Sequence, residues 1–359
     1  MKKLYYLLLP FTLLLGLSAC KKSTEAVPEN LATTDPNRTA ALANGTHLPL
    51  TVVTIAGKYG ESGFVDGNGK NARFDYPLGI DAMEDGSIYI ADFFNNKVRK
   101  ISPANVVSTV NIPQSTDGQT LRNPSDIVVQ SDGTINILTY DLYFVIQHKV
   151  WIVKPNGQVL TPDYKNPPNS HSSYTPYTYN TLVRDPYSNY LLLGGFFNNH
   201  YNYSYPLTEK AEIKNGVIGT NEYRLPADSL IAIDRSTPFL SSLFCGYNGV
   251  KYIVMNNKTI YKLTQGGVFT RIYRNLTFHN ITSIVGTKDT RTLYIADDGT
   301  IKAISNNKLT YLAGPQPPSD GGDGVGSSAD VHAAKLSLSK DEGTLYFTDN
   351  ETVRKMYLR

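Results

Sequence analysis

The chain is poor in several things that would have defined it quickly. It has two cysteines, one tryptophan and four methionines in 359 residues, and only 18% of its residues are charged. Two cysteines exclude a disulfide scaffold. The formal charge is +3, and without Lys2 and Lys3 it is 32 basic against 31 acidic residues. No global positive field exists to hold nucleic acid, so no nucleic-acid partner is expected. The six histidines, His47, His148, His171, His200, His279 and His332, show no H-x-x-x-H or comparable ligand spacing, so neither a metal nor a cofactor is expected. No long amphipathic helical pattern occurs, which argues against a βαβ fold. Disorder is excluded too, because 41% hydrophobic residues over this length suffice for a real core.

Long apolar runs are also scarce, and the one present is at the start. It covers 4–17, interrupted by Pro10, Thr12 and Gly16. As a helix it reaches about 21 Å, short of the roughly 30 Å hydrocarbon core of a bilayer. With Lys2 and Lys3 before it and small residues after it, the segment reads as a secretory signal. It ends Leu17-Ser18-Ala19-Cys20, which resembles the lipobox of bacterial lipoproteins. The resemblance implies cleavage after Ala19, lipidation of Cys20 and a membrane partner through the lipid. Residues 20–47, rich in Thr, Ala, Asn and Pro, bury too little to repay ordering and read as a tether. The expected location is the bacterial cell envelope, periplasmic or on the outer membrane. Cys245, left alone in Leu243-Phe244-Cys245-Gly246, reads as a small buried residue rather than a nucleophile.

An internal repeat organises the remaining 48–359. At a constant offset of 257, ten of the 37 positions from 56 to 92 are identical. They include Ala56/Ala313, Gly57/Gly314, Asp66/Asp323, Gly67/Gly324, Gly69/Gly326, Ala72/Ala329, Gly86/Gly343, Tyr89/Tyr346 and Asp92/Asp349. A third partial copy, Leu293-Tyr294-Ile295-Ala296-Asp297, matches Ile88-Tyr89-Ile90-Ala91-Asp92. The unit reads as short strands with turn residues between them. Inner strands are expected near Tyr89, Ile135, Leu191, Tyr252, Tyr294 and Tyr346, with room for four strands in each interval.

The sequence Ala56-Gly57, Asp66-Gly67-Asn68-Gly69, Ala72, Phe74, Pro77, Gly79-Ile80, Asp85-Gly86, Ile88-Tyr89-Ile90-Ala91-Asp92 and Asn95-Asn96-Lys97-Val98-Arg99-Lys100-Ile101 resembles the NHL repeat. That resemblance implies an all-β, six-bladed β-propeller of four-stranded antiparallel blades. The degenerate stretch 111–275 is counted by spacing alone, which leaves seven blades as the other count. The last blade reaches only Val353-Arg354-Lys355-Met356-Tyr357 before the chain ends. Thr51-Val52-Val53-Thr54-Ile55 is therefore expected to complete it, closing the ring and removing two open edges.

Two motifs lose to plainer readings. Gly67–Ala72 and Gly324–Ala329 fit G-x-G-x-x-A, but neither leads into a helical pattern as a dinucleotide site requires. The Asp66 segment lacks the Gly and Glu of a calcium loop. Asp92, Asp297 and Asp349 end equivalent strands; such residues either cap turns or converge as a ligand-binding or acid–base set. No catalytic residue is assigned. Tyrosine is in excess, with 25 in the chain and eight from Tyr174 to Tyr205. Asn198, His200, Tyr201, Tyr203 and Tyr205 form a candidate recognition loop, since rings offer flat apolar area and amides and hydroxyls add directional bonds. The alternative is that these tyrosines pack an irregular blade. The expected function is a membrane-tethered binding or scaffold propeller that recognises a glycan or an envelope protein through one loop face. The family resemblance also implies an enzyme alternative, a metal-dependent lactonase or lyase with a central-channel site.

Overall fold

Segments such as Ile88-Tyr89-Ile90-Ala91-Asp92 carry branched and aromatic side chains on both faces of the backbone. That composition suits a strand covered on two sides rather than one. A computed structural model of the chain describes residues 47–140, 148–164, 177–187, 190–198, 204–210, 213–214, 217–218, 221–225, 239–316 and 320–359. Cys20 and the expected leader and tether up to residue 46 lie outside the described residues. His47–Arg359 forms one structural unit.

Among the described residues, four sheets have four strands, two have five and one has three. In chain order, the first larger sheet comprises Pro77–Ala82, Ile88–Asp92, Lys97–Ile101 and Val106–Val110, with Gly67–Asn68 added at its edge. The second comprises Pro124–Val129, Ile135–Tyr140, His148–Val153 and Val159–Leu160. Tyr177–Asp185, Tyr190–Asn198, Ser204–Lys210 and Asn221–Arg224 make the third. The fourth is Leu240–Cys245, Lys251–Met255, Thr259–Leu263 and Phe269–Ile272. The fifth is Ile281–Gly286, Thr292–Asp297, Thr300–Ser305 and Lys308–Ala313. Ala333–Leu338, Thr344–Asp349, Thr352–Tyr357 and Thr51–Gly57 make the last, with Gly324–Val325 at its edge. The three-stranded sheet joins Asp163–Tyr164, Val217–Ile218 and Ile213–Lys214.

The first strand of each larger sheet touches the first strand of the next, and Ala333–Leu338 touches Pro77–Ala82 to complete the circuit. The chain is thus an all-β propeller with four-stranded antiparallel blades. The strands expected to be innermost, around Tyr89 to Tyr346, are each second in their sheet. The axial strand is the one before. It escapes a β-propensity reading because segments such as Pro77-Leu78-Gly79 and Pro124-Ser125-Asp126 carry residues disfavoured in strands.

There is no single core. Ala91 and Val98 of the first sheet cluster with Ile127, Ile137 and Trp151 of the second. Leu138 and Val150 meet Leu182 and Leu193, Leu192 meets Leu243 and Ile253, and Val254 and Ile260 meet Ile284 and Ile295. Ala296, Ile301 and Leu312 meet Leu345, Phe347 and Met356, and Ile55 and Val353 return to Ile80, Ile90 and Ile101. Every blade is covered on both faces by its neighbours. Each fully buried Ile or Phe contributes about 1.5–3 kcal/mol, but only while the neighbouring blade is present.

The N-terminal strand closes the ring as expected. Thr51–Gly57 runs antiparallel to Thr352–Tyr357, with Val52 opposite Met356 and Val53 opposite Lys355. Side chains reproduce the arrangement of the first blade. There, Asp66 accepts the N–H and hydroxyl of Thr109 on the fourth strand; here, Asp323 accepts the N–H and hydroxyl of Thr54, both at 2.7 Å. Deleting 50–56 exposes the edge of Thr352–Tyr357 and uncovers Leu312 and Phe347. The expected result is loss of the cooperative melt or a shift to oligomers in light scattering; a normal monomeric melt would show that the strand is dispensable.

Candidate functional site

The three strand-end aspartates are fully buried, and each is paired with a basic residue on the following strand. Asp92 meets Arg99 at 2.7 Å, Asp297 meets Lys302 at 2.8 Å, and Asp349 meets Arg354 at 2.8 Å. Each also accepts a backbone N–H from the loop that enters its blade: that of Asp75, those of His279 and Asn280, and that of His332. They therefore hold loop, second strand and third strand together, and none of them lines the axial cavity. Arg99 is the most heavily used member. It donates to Asp66, Asp92 and the carbonyls of Val65 and Arg73, with Phe64 and Phe74 rings 5.0 Å away. Burial pushes the Asp92 and Asp349 carboxyls upward, and the arginines and N–H donors oppose that shift.

A different set of side chains reaches the axis. Every first strand has an irregularity in register at the same place, just before Ile80, Asp126, Thr181, Ser242, Ser283 and Leu336. Such bulges re-aim side chains. Neighbouring first strands share no ladder among the described residues, so side chains bridge them instead. Asp126 accepts the Leu182 N–H, Ser242 that of Ile284, and Ser283 that of Leu336. In the first and last sheets the residue after Ile80 and Leu336 does the same: Asp81 accepts the Val129 N–H and Ser337 that of Ala82. At these five junctions one blade's inward side chain takes an N–H of the next blade; between the third and fourth sheets Asn180 instead donates to the Leu240 carbonyl.

These residues line a cavity of about 190 Å³. Lys335 crosses to Asp126 at 3.1 Å, past Gly79, where a Cβ would sit 2.6 Å from the Asp126 Cα. Only glycine allows that approach. Arg184 pairs with Asp81 at 2.9 Å; burial raises the Asp81 carboxyl and Arg184 opposes it. Tyr247, Lys288, Lys340 and Glu342 lie beyond, at the first-to-second strand turns. The cavity thus opens at the end opposite the second-to-third strand connections, the end that holds the candidate recognition loop between Asn198 and Tyr205. Cys245 also borders it; burial and the Asp185 carboxylate push its thiol up to about 12. Among the described residues no three His, Cys, Asp or Glu converge as metal ligands. With Asp81 and Asp126 each held by a cation and an N–H, the donor set does not fit the metal of a lactonase-type centre.

The face with the second-to-third strand connections carries an aromatic patch that sequence reasoning missed. Phe64, Tyr76 and Phe94 are 52%, 52% and 51% exposed, and Tyr76 packs against Phe93 and Phe94. Backbone bonds from Phe93 to Tyr76 and from Phe94 to Asp75 fix the patch. The adjacent Phe93-Phe94 pair was its only sequence signal. Asn198 and Tyr205 fall in the two strands that meet at Asn198 opposite Ser204. Their side chains, and His200, Tyr201 and Tyr203 entirely, lie outside the described residues.

No protein-family model and no curated protein matches the chain. Solved structures do. An auxiliary nutrient binding protein from Bacteroides ovatus is similar at 13% identity and TM-score 0.61, over 87% of this chain and 77% of that one. A Bacteroides thetaiotaomicron protein of unknown function is similar at 16% and 0.59, over 86% and 75%. A gluconolactonase from Xanthomonas campestris is similar at 9% and 0.54, over 89% and 93%. At these identities the shared property is the propeller fold.

Two outcomes follow from the geometry. Replacing Arg99 by Met strands the Asp92 carboxylate in the interior, so urea unfolding should show a loss of about 3–5 kcal/mol; a loss under 1 kcal/mol would mean the pair does not hold the loop. In a Cys20→Ser chain, Cys245 should stay unreactive toward a thiol reagent at pH 8 until urea unfolds the protein, because almost no thiolate forms four units below its pKa. Prompt labelling of the native chain would contradict its burial.

Proposed function

We propose that the protein is a lipid-anchored envelope propeller of six NHL-type blades that binds glycan on its second-to-third strand face. The observation that carries this reading is the patch of Tyr76 and Phe94, half exposed, packed together and held by backbone bonds on one face, with Phe64 exposed on the same entry loop. Flat aromatic surface beside hydrogen-bonding groups suits the apolar faces and hydroxyls of sugar rings. The longest second-to-third strand connections, 141–147 and 199–203, leave from the same end of their sheets as 93–96 does. In this reading His200, Tyr201 and Tyr203 of the second belong to the binding set together with Asn198 and Tyr205. The ring count rests on six larger sheets whose first strands touch in a closed circuit. Anchoring rests on Lys2, Lys3, the short apolar run and Cys20. The likeness to a nutrient binding propeller agrees with a binding role; the gluconolactonase likeness supports the enzyme alternative, for which the axial residues offer no metal set.

One experiment tests both halves. The full chain is produced in a Gram-negative host, fractionated and probed on an array of envelope and dietary glycans. Wild type should partition with membranes and Cys20→Ala should not. The Tyr76→Ala/Phe94→Ala and Tyr201→Ala/Tyr203→Ala variants should each weaken glycan binding at least ten-fold with melting unchanged. Retained affinity in both would move the site off this face. Capture of a protein with no glycan bound would replace the glycan by a protein partner.

A further inference from the structure

The axial cavity is lined by three hydroxyls that donate to no acceptor among the described residues. Ser242, Ser283 and Ser337 are 3%, 4% and 8% exposed, and each oxygen accepts a backbone N–H from the next blade at 3.0–3.2 Å. A hydroxyl carries one proton as well as its lone pairs. None of these three protons has an acceptor among the described residues. A buried donor without a partner is costly, so repeating it three times around one axis calls for an acceptor inside the ring.

Charge points the same way. The cavity's carboxylates are neutralised, Asp81 by Arg184 and Asp126 by Lys335, and Glu342 is turned to the Lys288 backbone N–H. Lys340, half-buried at the mouth, makes no hydrogen bond or close ion pair among the described residues; burial and the Arg184 and Lys288 cations push its ammonium down, more than the Asp81 and Glu84 carboxylates hold it up. Lys288 adds a second cation over the Tyr247 ring, 6.0 Å from its centroid. The lining therefore carries Arg184, Lys288, Lys335 and Lys340 against Asp81, Asp126 and Glu342. An occupant must bring negative charge for the mouth and further acceptors for hydroxyls on the fourth, fifth and last sheets. That spread suits an extended organic molecule better than a compact ion.

We propose that the axial cavity binds a small carboxylate-bearing organic anion, its carboxylate on Lys340 and Arg184 and its remaining oxygens on Ser242, Ser283 and Ser337. This site goes beyond the glycan reading and lies at the opposite end of the axis, so the two fail separately.

Calorimetry on the full chain tests it with citrate, succinate and glucuronate, against glucose and inorganic phosphate. At least one carboxylate should bind one-to-one. Lys340→Met should weaken it ten- to hundred-fold with an unchanged melt, as loss of a charge-assisted bond does, whereas Tyr76→Ala/Phe94→Ala should leave it intact. In the wild-type chain the bound carboxylate should also protect Lys340 from amine acylation, read by mass spectrometry, which decides the matter if Lys340→Met does not fold. The proposal is overturned if no carboxylate saturates, if glucose or phosphate binds as tightly, if Lys340→Met binds normally, or if Lys340 is not protected.

Discussion

Among the described residues neighbouring first strands share no backbone ladder, so the ring is held by what the blades bury between them and by side chains that reach across the axis. Every interblade cluster needs a blade on either side. A linear stack would leave two such faces bare and two sheet edges unpaired. Pairing Thr51–Gly57 with Thr352–Tyr357 removes both defects at once, and the remaining contacts gain their value from that closure. The Asp323–Thr54 bonds show that the N-terminal strand takes a position elsewhere filled by Thr109, with the same acid and the same pair of donors.

The buried aspartate–basic pairs solve a local problem of the same kind. The first, fifth and last blades are entered by loops whose backbone N–H groups need acceptors away from water. Asp92, Asp297 and Asp349 supply them, and Arg99, Lys302 and Arg354 keep those carboxylates in place. Arg99 and Arg354 then spend further donors on loop carbonyls and on Asp66 and Asp323. Acids that could have been a surface site are consumed in joining loop to sheet. The axis is built differently. Its hydroxyls accept across blades and keep their protons for the interior, while its acids are balanced by Arg184 and Lys335. One end of the molecule presents aromatic surface and the other a cationic, donor-rich cavity.

The repeat was legible because turns and second strands recur at one offset. Ala56-Gly57, Asp66-Gly67 and Asp92 have chemical duties that only those residues meet, so they match their copies at 257 exactly where those duties recur. None of the ten identities falls between 73 and 85. There the first strand slips to an offset of 256, since Ile80 faces Ile90 as Leu336 faces Phe347. Arg99 and Arg354 slip further, to 255, because a four-residue connection in the first blade is shortened to two in the last. The axial strands were consequently hidden, and with them the cavity. The patch of Tyr76 and Phe94 was hidden for another reason: its members are far apart in sequence and meet only when the entry loop folds against the second-to-third strand turn.

What the sequence determined by itself was the strand-based architecture, its repetition and the need for an N-terminal strand to complete the last blade. Those properties follow from composition, period and the likeness of Thr51–Ile55 to the strand before the second Ala-Gly, all of which are local or additive. Tertiary structure alone decided which strand faces the axis, which carboxylates are spent on arginines, and that Ser242, Ser283, Ser337 and Lys340 share one cavity. Residues from different blades have no sequence relation that reports their distance; only closing the ring brings them to the same few ångströms of space.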